Sequence, residues 1–264
     1  MASIDTALGP IGVLERSPDD PQGLPILFLH GVGSDKSVWA PQLDHFGKTR
    51  RAIAADYPGY GESGYLPGAG HDDYARAMAA LLDALEIERA HICGLSLGGV
   101  VAIAMGSLFP ERCASLVIAD SFSVHPEGQA IHDRSLAAAD ELGMRGLAEA
   151  RVDALIAPGA PEGLREDVVE TMAAIDPQAY KLGAKAVWLA DQRTRVGIIA
   201  QPTLIVCGSH DSITPPMLSI RLKEAMNGAS LEIIEGAGHL ANAERPDAFN
   251  RVLDVFLSDL NEKA

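Results

Sequence analysis

Basic residues are in short supply in this sequence. Its 21 Lys and Arg are outnumbered by 36 Asp and Glu, leaving a formal net charge of −15 at pH 7. Nucleic-acid binding needs a basic surface to displace the counterions of phosphates, so that partner class is excluded. A polybasic membrane anchor is excluded on the same ground. Cysteine is scarce too. Cys93, Cys113 and Cys207 each lie in or beside an apolar run, and their spacing fits neither a disulfide framework nor a metal knuckle. No apolar stretch is long enough to span a bilayer. The opening MASIDTALGP lacks the basic region and apolar core of a secretion signal. These absences point to a cytoplasmic protein with no membrane partner and no metal. Internal repeats and low-complexity tracts are also missing.

What is present is an ordinary globular composition, 47% hydrophobic and 22% charged over 264 residues. That length suits one sizeable α/β domain with an insertion. The start reads as a hairpin turning at Gly9-Pro10. Continuous apolar runs at 25–31, 50–59, 89–96 and 113–121 read as strands buried on both faces. The amphipathic stretch 71–88 and the segment 97–112 read as helices between them. This alternation predicts a parallel sheet covered by helices. Between 122 and 196 the strand pattern disappears and helical stretches take over. The βα rhythm returns with a strand at 201–211, a helix at 215–228, a strand at 230–239 and a last helix from Glu244. The expected organisation is therefore a core of 1–121 and 197–264 with a helical cap at 122–196.

The chemistry centres on Gly94-Leu95-Ser96-Leu97-Gly98. A serine between two glycines, after a buried strand and before a helix, fits the tight turn that lifts a nucleophile above a sheet. A serine hydroxyl needs a base, and the base needs an orienting carboxylate. His239 follows the last strand and Asp211 follows the strand before it, so both fall where open α/β sheets place their ligands. The chain order Ser96, Asp211, His239 fits this architecture. Asp120 also follows a strand and is a rival for the acid; the loop signature around Asp211 is the more specific. Two backbone N–H groups are candidates for an oxyanion hole. Leu97 opens the helix after the serine, and Val32 follows the flexible Gly31. His30 reads as an organiser of that loop and His91 as a packed residue within its strand. His45, His71, His125 and His132 show no partner pattern, and His210 points away from its neighbour Asp211.

The segments LHGVGSD (29–35), DYPGYGES (56–63), GLSLGG (94–99), GSHDSITPP (208–216) and GAGHLANAERP (236–246) resemble the α/β-hydrolase fold family. That resemblance implies a mostly parallel eight-stranded sheet flanked by helices, a Ser-His-Asp triad and a helical cap over the site. Within the family, GMRGLAEARVD (143–153), DQRTRVGIIAQPTLIVCG (191–208) and HLANAERPDAFN (239–250) are similar to the 3-oxoadipate enol-lactonase type and to small carboxylesterases, whereas ADSFSVHPEG (119–128) departs from that type. An enol-lactonase implies a substrate carboxylate and hence a cation under the cap. Arg134, Arg145, Arg151, Arg165, Lys181, Lys185, Arg193 and Arg195 are available, and Arg134, Trp188 and Met144 are the expected pocket residues.

The expected activity is hydrolysis of a small ester or lactone through an acyl-enzyme, with no cofactor. A general carboxylesterase, a carbon–carbon bond hydrolase, a perhydrolase and a hydrolase-like small-molecule sensor are the alternatives. Homo-oligomerisation is compatible with the sequence.

Overall fold

The computed structural model describes residues 2–261; Met1 and 262–264, the outermost residues of the expected core segments, lie outside that range. An antiparallel hairpin comes first, with β1 (Ala2–Thr6) and β2 (Gly9–Arg16) paired from Ala2 opposite Val13 to Thr6 opposite Gly9. The turn is therefore Ala7-Leu8, which corrects the expectation of Gly9-Pro10. Thr6 closes it: its hydroxyl accepts the Leu8 N–H at 3.1 Å and donates to the Gly9 carbonyl at 2.7 Å. Gly9 enters β2 at φ +107°, which glycine alone adopts without steric cost.

The core then follows the alternation. After β3 (Ile26–Leu29) come a 3-10 turn at Lys36–Trp39 and α1 (Ala40–Phe46), a helical stretch that periodicity alone does not flag. Next are β4 (Ala52–Ala55), α2 (His71–Ala84), β5 (Ala90–Leu95), α3 (Leu97–Leu108) and β6 (Cys113–Ala119). Every residue of β3, β4, β5 and β6 is buried, as expected for strands covered on both faces. Four helices follow without a strand: α4 (Gly128–Leu155), α5 (Leu164–Ala173), α6 (Pro177–Trp188) and α7 (Arg193–Val196). One isolated bridge, Val124 to Asp191, ties the two ends of this insertion together. Helix α4 breaks at Gly143, whose φ of 66° and ψ of 173° no helix contains. The chain ends with β7 (Thr203–Gly208), α8 (Pro216–Ala225), β8 (Ser230–Ile234), α9 (Ala241–Glu244) and α10 (Pro246–Asn261). The expected last helix is thus two helices separated by Arg245.

The eight strands form one sheet in the order β1-β2-β4-β3-β5-β6-β7-β8. Only β1–β2 and β2–β4 pair antiparallel; the remaining pairs are parallel. The loops after β3, β5, β6, β7 and β8 therefore emerge at one edge of the sheet. These loops carry Val32, Ser96, Asp120, Asp211 and His239. Among the described residues no helix is long and apolar enough to cross a membrane. The three cysteines are free and buried. Burial pushes the Cys93 and Cys207 thiols well up and the Cys113 thiol up to about 12.

Candidate active site

Ser96 sits at the joint between β5 and α3 with φ 56° and ψ −112°, a conformation an L-residue holds only when its surroundings enforce it. They do so here by closeness. A Cβ on Gly94 would lie 2.0 Å from the Gly98 carbonyl oxygen, and one on Gly98 would lie 2.1 Å from that of Leu29. Both positions are therefore restricted to glycine, and the helix can begin immediately after the serine. The Ser121 hydroxyl donates to the Ser96 carbonyl at 2.8 Å and fixes the turn from the neighbouring strand.

The hydroxyl meets two distant loops. His239 Nε2 lies 3.0 Å from Ser96 Oγ, and His239 Nδ1 lies 2.9 Å from Asp211 Oδ2. All three side chains are buried. With the imidazole protonated at Nδ1, Nε2 is left as the acceptor for the serine proton. Asp211 is itself held from several directions. Its Oδ1 accepts the Ile213 and Thr214 N–H groups at 2.8 and 2.9 Å, and its Oδ2 accepts the Thr214 hydroxyl at 2.6 Å. Burial alone would raise its pKa, but the His239 charge and the bonds from His239 and Thr214 outweigh that and hold the carboxyl well below the usual range.

Asp120, the rival acid, makes no hydrogen bond to His239. Its Oδ1 accepts the Gly208 N–H at 2.8 Å, while its Oδ2 is buried without a partner. Burial and the adjacent Asp211 charge push its pKa well up, which favours the neutral form beside that anion. Asp120, Cys207 and Asp211 bring three ligand-type atoms within 4.8 Å of one another.

Two backbone donors lie next to the nucleophile: Leu97 follows Ser96 in the chain, and Val32 borders the cavity that Ser96 borders. Among the described residues neither the Val32 nor the Leu97 N–H has a hydrogen-bond partner. Gly31 packs against the nucleophile so closely that a Cβ there would lie 3.4 Å from Ser96 Cβ. The Tyr60 hydroxyl donates to the Val32 carbonyl at 3.1 Å and fixes the orientation of that loop. His30 is wedged against Tyr57 and Tyr60, with ring centroids at 4.6 and 5.0 Å. Its Nδ1 lies 2.8 Å from the Gly31 carbonyl, and its Nε2 accepts the Tyr57 N–H at 3.4 Å. Burial lowers its pKa, so a neutral ring organises the loop. Lys36 ties the same loop to the following one through Asp56 and Glu62, with its own N–H on Asp56 Oδ1 at 2.8 Å.

A cavity of ≈ 510 Å³ opens above Ser96, Val32 and His239. Leu155, Met172, Leu240 and Trp188 supply apolar wall, and Arg151, Glu162, Asp167 and Glu170 bring charge to it. The same Arg151 and Trp188 also border a second cavity of ≈ 430 Å³, so they form a partition between the two.

A model of the alpha/beta hydrolase family matches residues 26–252. The chain belongs to that family. It is 27% identical over 253 residues to 3-oxoadipate enol-lactonase 1 of Acinetobacter baylyi, covering 91% of each chain. It is 30% identical over 268 residues to a 2-hydroxymuconate semialdehyde hydrolase of Pseudomonas putida, covering 91% of this chain and 89% of that one. Among solved structures, the enol-lactonase from Burkholderia xenovorans LB400 superposes with a TM-score of 0.89 at 22% identity, over 97% of this chain and 100% of the other.

Within this α/β-hydrolase the expected pocket residues divide. Trp188 borders the Ser96 cavity as anticipated. Met144 does not: it follows the Gly143 break and packs into the hydrophobic core, bordering neither cavity. Arg134 is exposed and borders only the second cavity, because it lies on α4 before the break. Most of the other cations carry surface ion pairs: Arg145 with Glu170, Arg165 with Asp153, Lys181 with Asp140, Arg193 with Asp191 and Arg195 with Asp72. Arg151 differs. It borders the Ser96 cavity, forms no ion pair among the described residues, and donates instead to the Ser135 and Tyr180 hydroxyls at 3.0 and 3.1 Å. Sequence reasoning left it undistinguished among eight cations, since pairing partners come from other helices.

The remaining histidines are accounted for by packing or surface pairs. His91 is buried with Nδ1 2.8 Å from Ser115 Oγ, and burial lowers its pKa to about 4. His45, His71 and His132 pair with Asp254, Asp72 and Asp133. His125 accepts the Glu127 N–H at 3.1 Å and packs edge-on against Trp188. His210 is 3.0 Å from the Ser209 hydroxyl and touches none of the three central side chains.

Proposed function

We propose that this chain is a serine hydrolase cleaving small carboxylic esters or lactones through an acyl-enzyme. The observation carrying this reading is the continuous Ser96–His239–Asp211 hydrogen-bond chain beside two unspent backbone donors. Ser96 Oγ attacks the carbonyl carbon as its proton moves to His239 Nε2. Asp211 keeps Nδ1 protonated and stabilises the imidazolium. The tetrahedral oxyanion takes the Val32 and Leu97 N–H groups. His239 then protonates the leaving oxygen, and a water molecule repeats the sequence on the acyl-enzyme. Residues 122–196 act as the cap over this site, and 1–121 with 197–264 act as the core. Incubation with diethyl p-nitrophenyl phosphate is expected to inactivate the enzyme and leave one adduct, on Ser96, by peptide mass spectrometry. Undiminished ester turnover after that treatment would rule the mechanism out.

The relatives named as 3-oxoadipate enol-lactonases make an anionic lactone the finer reading, and Arg151 is the residue that favours it. A guanidinium without an ion-pair partner on the cavity wall is matched by a carboxylate on the substrate, although Glu162, Asp167 and Glu170 border the same cavity. A hydrogen bond to a charged group contributes about 1.5–3 kcal/mol, a factor of roughly 10–100. Arg151→Met is therefore expected to lower kcat/KM for mono-p-nitrophenyl glutarate by about 10–100-fold and to leave p-nitrophenyl butyrate nearly unchanged. An equal loss on both esters would show that Arg151 supports the pocket rather than reading the charge.

A further inference from the structure

Glu244 is a buried carboxylate that the proposed chemistry does not use, and it is 1% exposed. It lies in α9, five residues after His239. Its Oε1 accepts the N–H groups of Gly238 at 2.9 Å and Leu240 at 3.2 Å, the residues on either side of the histidine. Its Oε2 accepts the N–H of Ala157 at 2.7 Å, just beyond the end of α4. The His239 N–H completes the junction by donating to the Leu155 carbonyl at 2.9 Å. The contact is too tight to admit a side chain at 238: a Cβ there would lie 2.7 Å from the Ala157 nitrogen and 2.9 Å from Glu244 Oε1. Thus one carboxylate joins the histidine loop to the helix whose last residue, Leu155, walls the Ser96 cavity.

We propose that Glu244 is a positioning residue for His239, which sets the imidazole against Ser96 by clamping residues 238–240 to the C-terminal end of α4. The inference rests on the serine-hydrolase reading and adds to its three triad side chains a fourth residue, one that touches no substrate. The clamp depends on the number of acceptors. Three N–H donors converge on two carboxylate oxygens, and all three are satisfied. A glutamine at this position keeps one oxygen but turns its NH₂ toward an N–H, so a donor faces a donor on one side of the clamp. An aspartate keeps both oxygens but is one methylene shorter, and it cannot hold 157 and 238–240 at once. In either variant the histidine loop and α4 part company, while Ser96, Asp211 and the cavity wall away from that junction are retained. Displacing a reacting group by about 1 Å costs on the order of 10²-fold in rate.

The test is steady-state turnover of p-nitrophenyl butyrate by E244Q and E244D, each normalised to active sites counted by burst titration, with melting temperature measured alongside. Positioning predicts a per-site kcat lower by about 10–100-fold with KM within about twofold. E244D supplies the same reading at a preserved charge if E244Q does not fold. A per-site kcat equal to wild type in a folded variant, with only the melting temperature or the number of active sites reduced, overturns the proposal and makes Glu244 a purely structural clamp. A serine-to-alanine variant at 96 separates the two levels. If that variant is inactive and E244Q turns over normally, this inference fails alone; if it remains active, the underlying hydrolase reading fails.

Discussion

Ser96→Ala is expected to abolish ester turnover, lowering kcat by on the order of 10⁶-fold, the effect of removing a triad serine in a related mechanism. The change removes one oxygen and leaves the turn intact. Gly94, Gly98 and the Ser121 bond to the Ser96 carbonyl hold the backbone, and none of them involves the serine side chain. Alanine also accepts the same φ of 56° at the strain serine already bears. The melting temperature should therefore stay close to wild type while p-nitrophenyl acetate hydrolysis falls to background. A variant that still turns over this ester many times per molecule would mean that the 3.0 Å contact between His239 and Ser96 is not the proton path.

The second large effect separates two carboxylates one strand apart. Asp211→Asn should lower kcat by about 10⁴-fold, because an amide NH₂ opposite Nδ1 favours the tautomer that places the proton on Nε2. That tautomer cannot receive a proton from Ser96. Asp120→Asn should keep kcat within about tenfold, since hydrogen bonding to a neutral group contributes only about 1 kcal/mol. Burial and the Asp211 charge push the Asp120 pKa well up and so favour its neutral form. Asparagine reproduces that neutral form and keeps an oxygen for the Gly208 N–H. Stopped-flow or plate-reader kinetics on both variants decide the matter. A larger loss from the change at 120 than from the change at 211 would exchange their roles.

Much of this was legible in the sequence because the constraints are local. The glycines around Ser96 are demanded by contacts of 2.0 and 2.1 Å, and such contacts leave a spacing that any reader can find. Continuous apolar runs reported strands buried on both faces, and β3 to β6 are so buried. Punctuation residues misled where hydrogen bonds decide. Gly9-Pro10 reads as a turn, yet the Thr6 hydroxyl closes the hairpin two residues earlier. The pocket was the least legible part, because its walls come from helices that meet only in three dimensions. Met144 and Arg134 were reasonable choices on helix α4, but the break at Gly143 turns the stretches around them to different neighbours. Arg151 stands out only once five of the other cations are seen to be paired with acids and Arg134 and Lys185 are seen to lie off the Ser96 cavity. Glu244 carried a sequence signal in its five-residue distance from His239, and that signal has no meaning until its three donors are located.

The buried cysteines have a practical consequence for anyone probing this enzyme with reactive compounds. A sulfur competes for an electrophile only as thiolate and only where reagent can reach it. Here all three are enclosed, and burial keeps their protons on. Thiol-directed alkylating agents should pass this protein by, and a serine-directed warhead that does attach will report the alcohol at the elbow, free of background from cysteine.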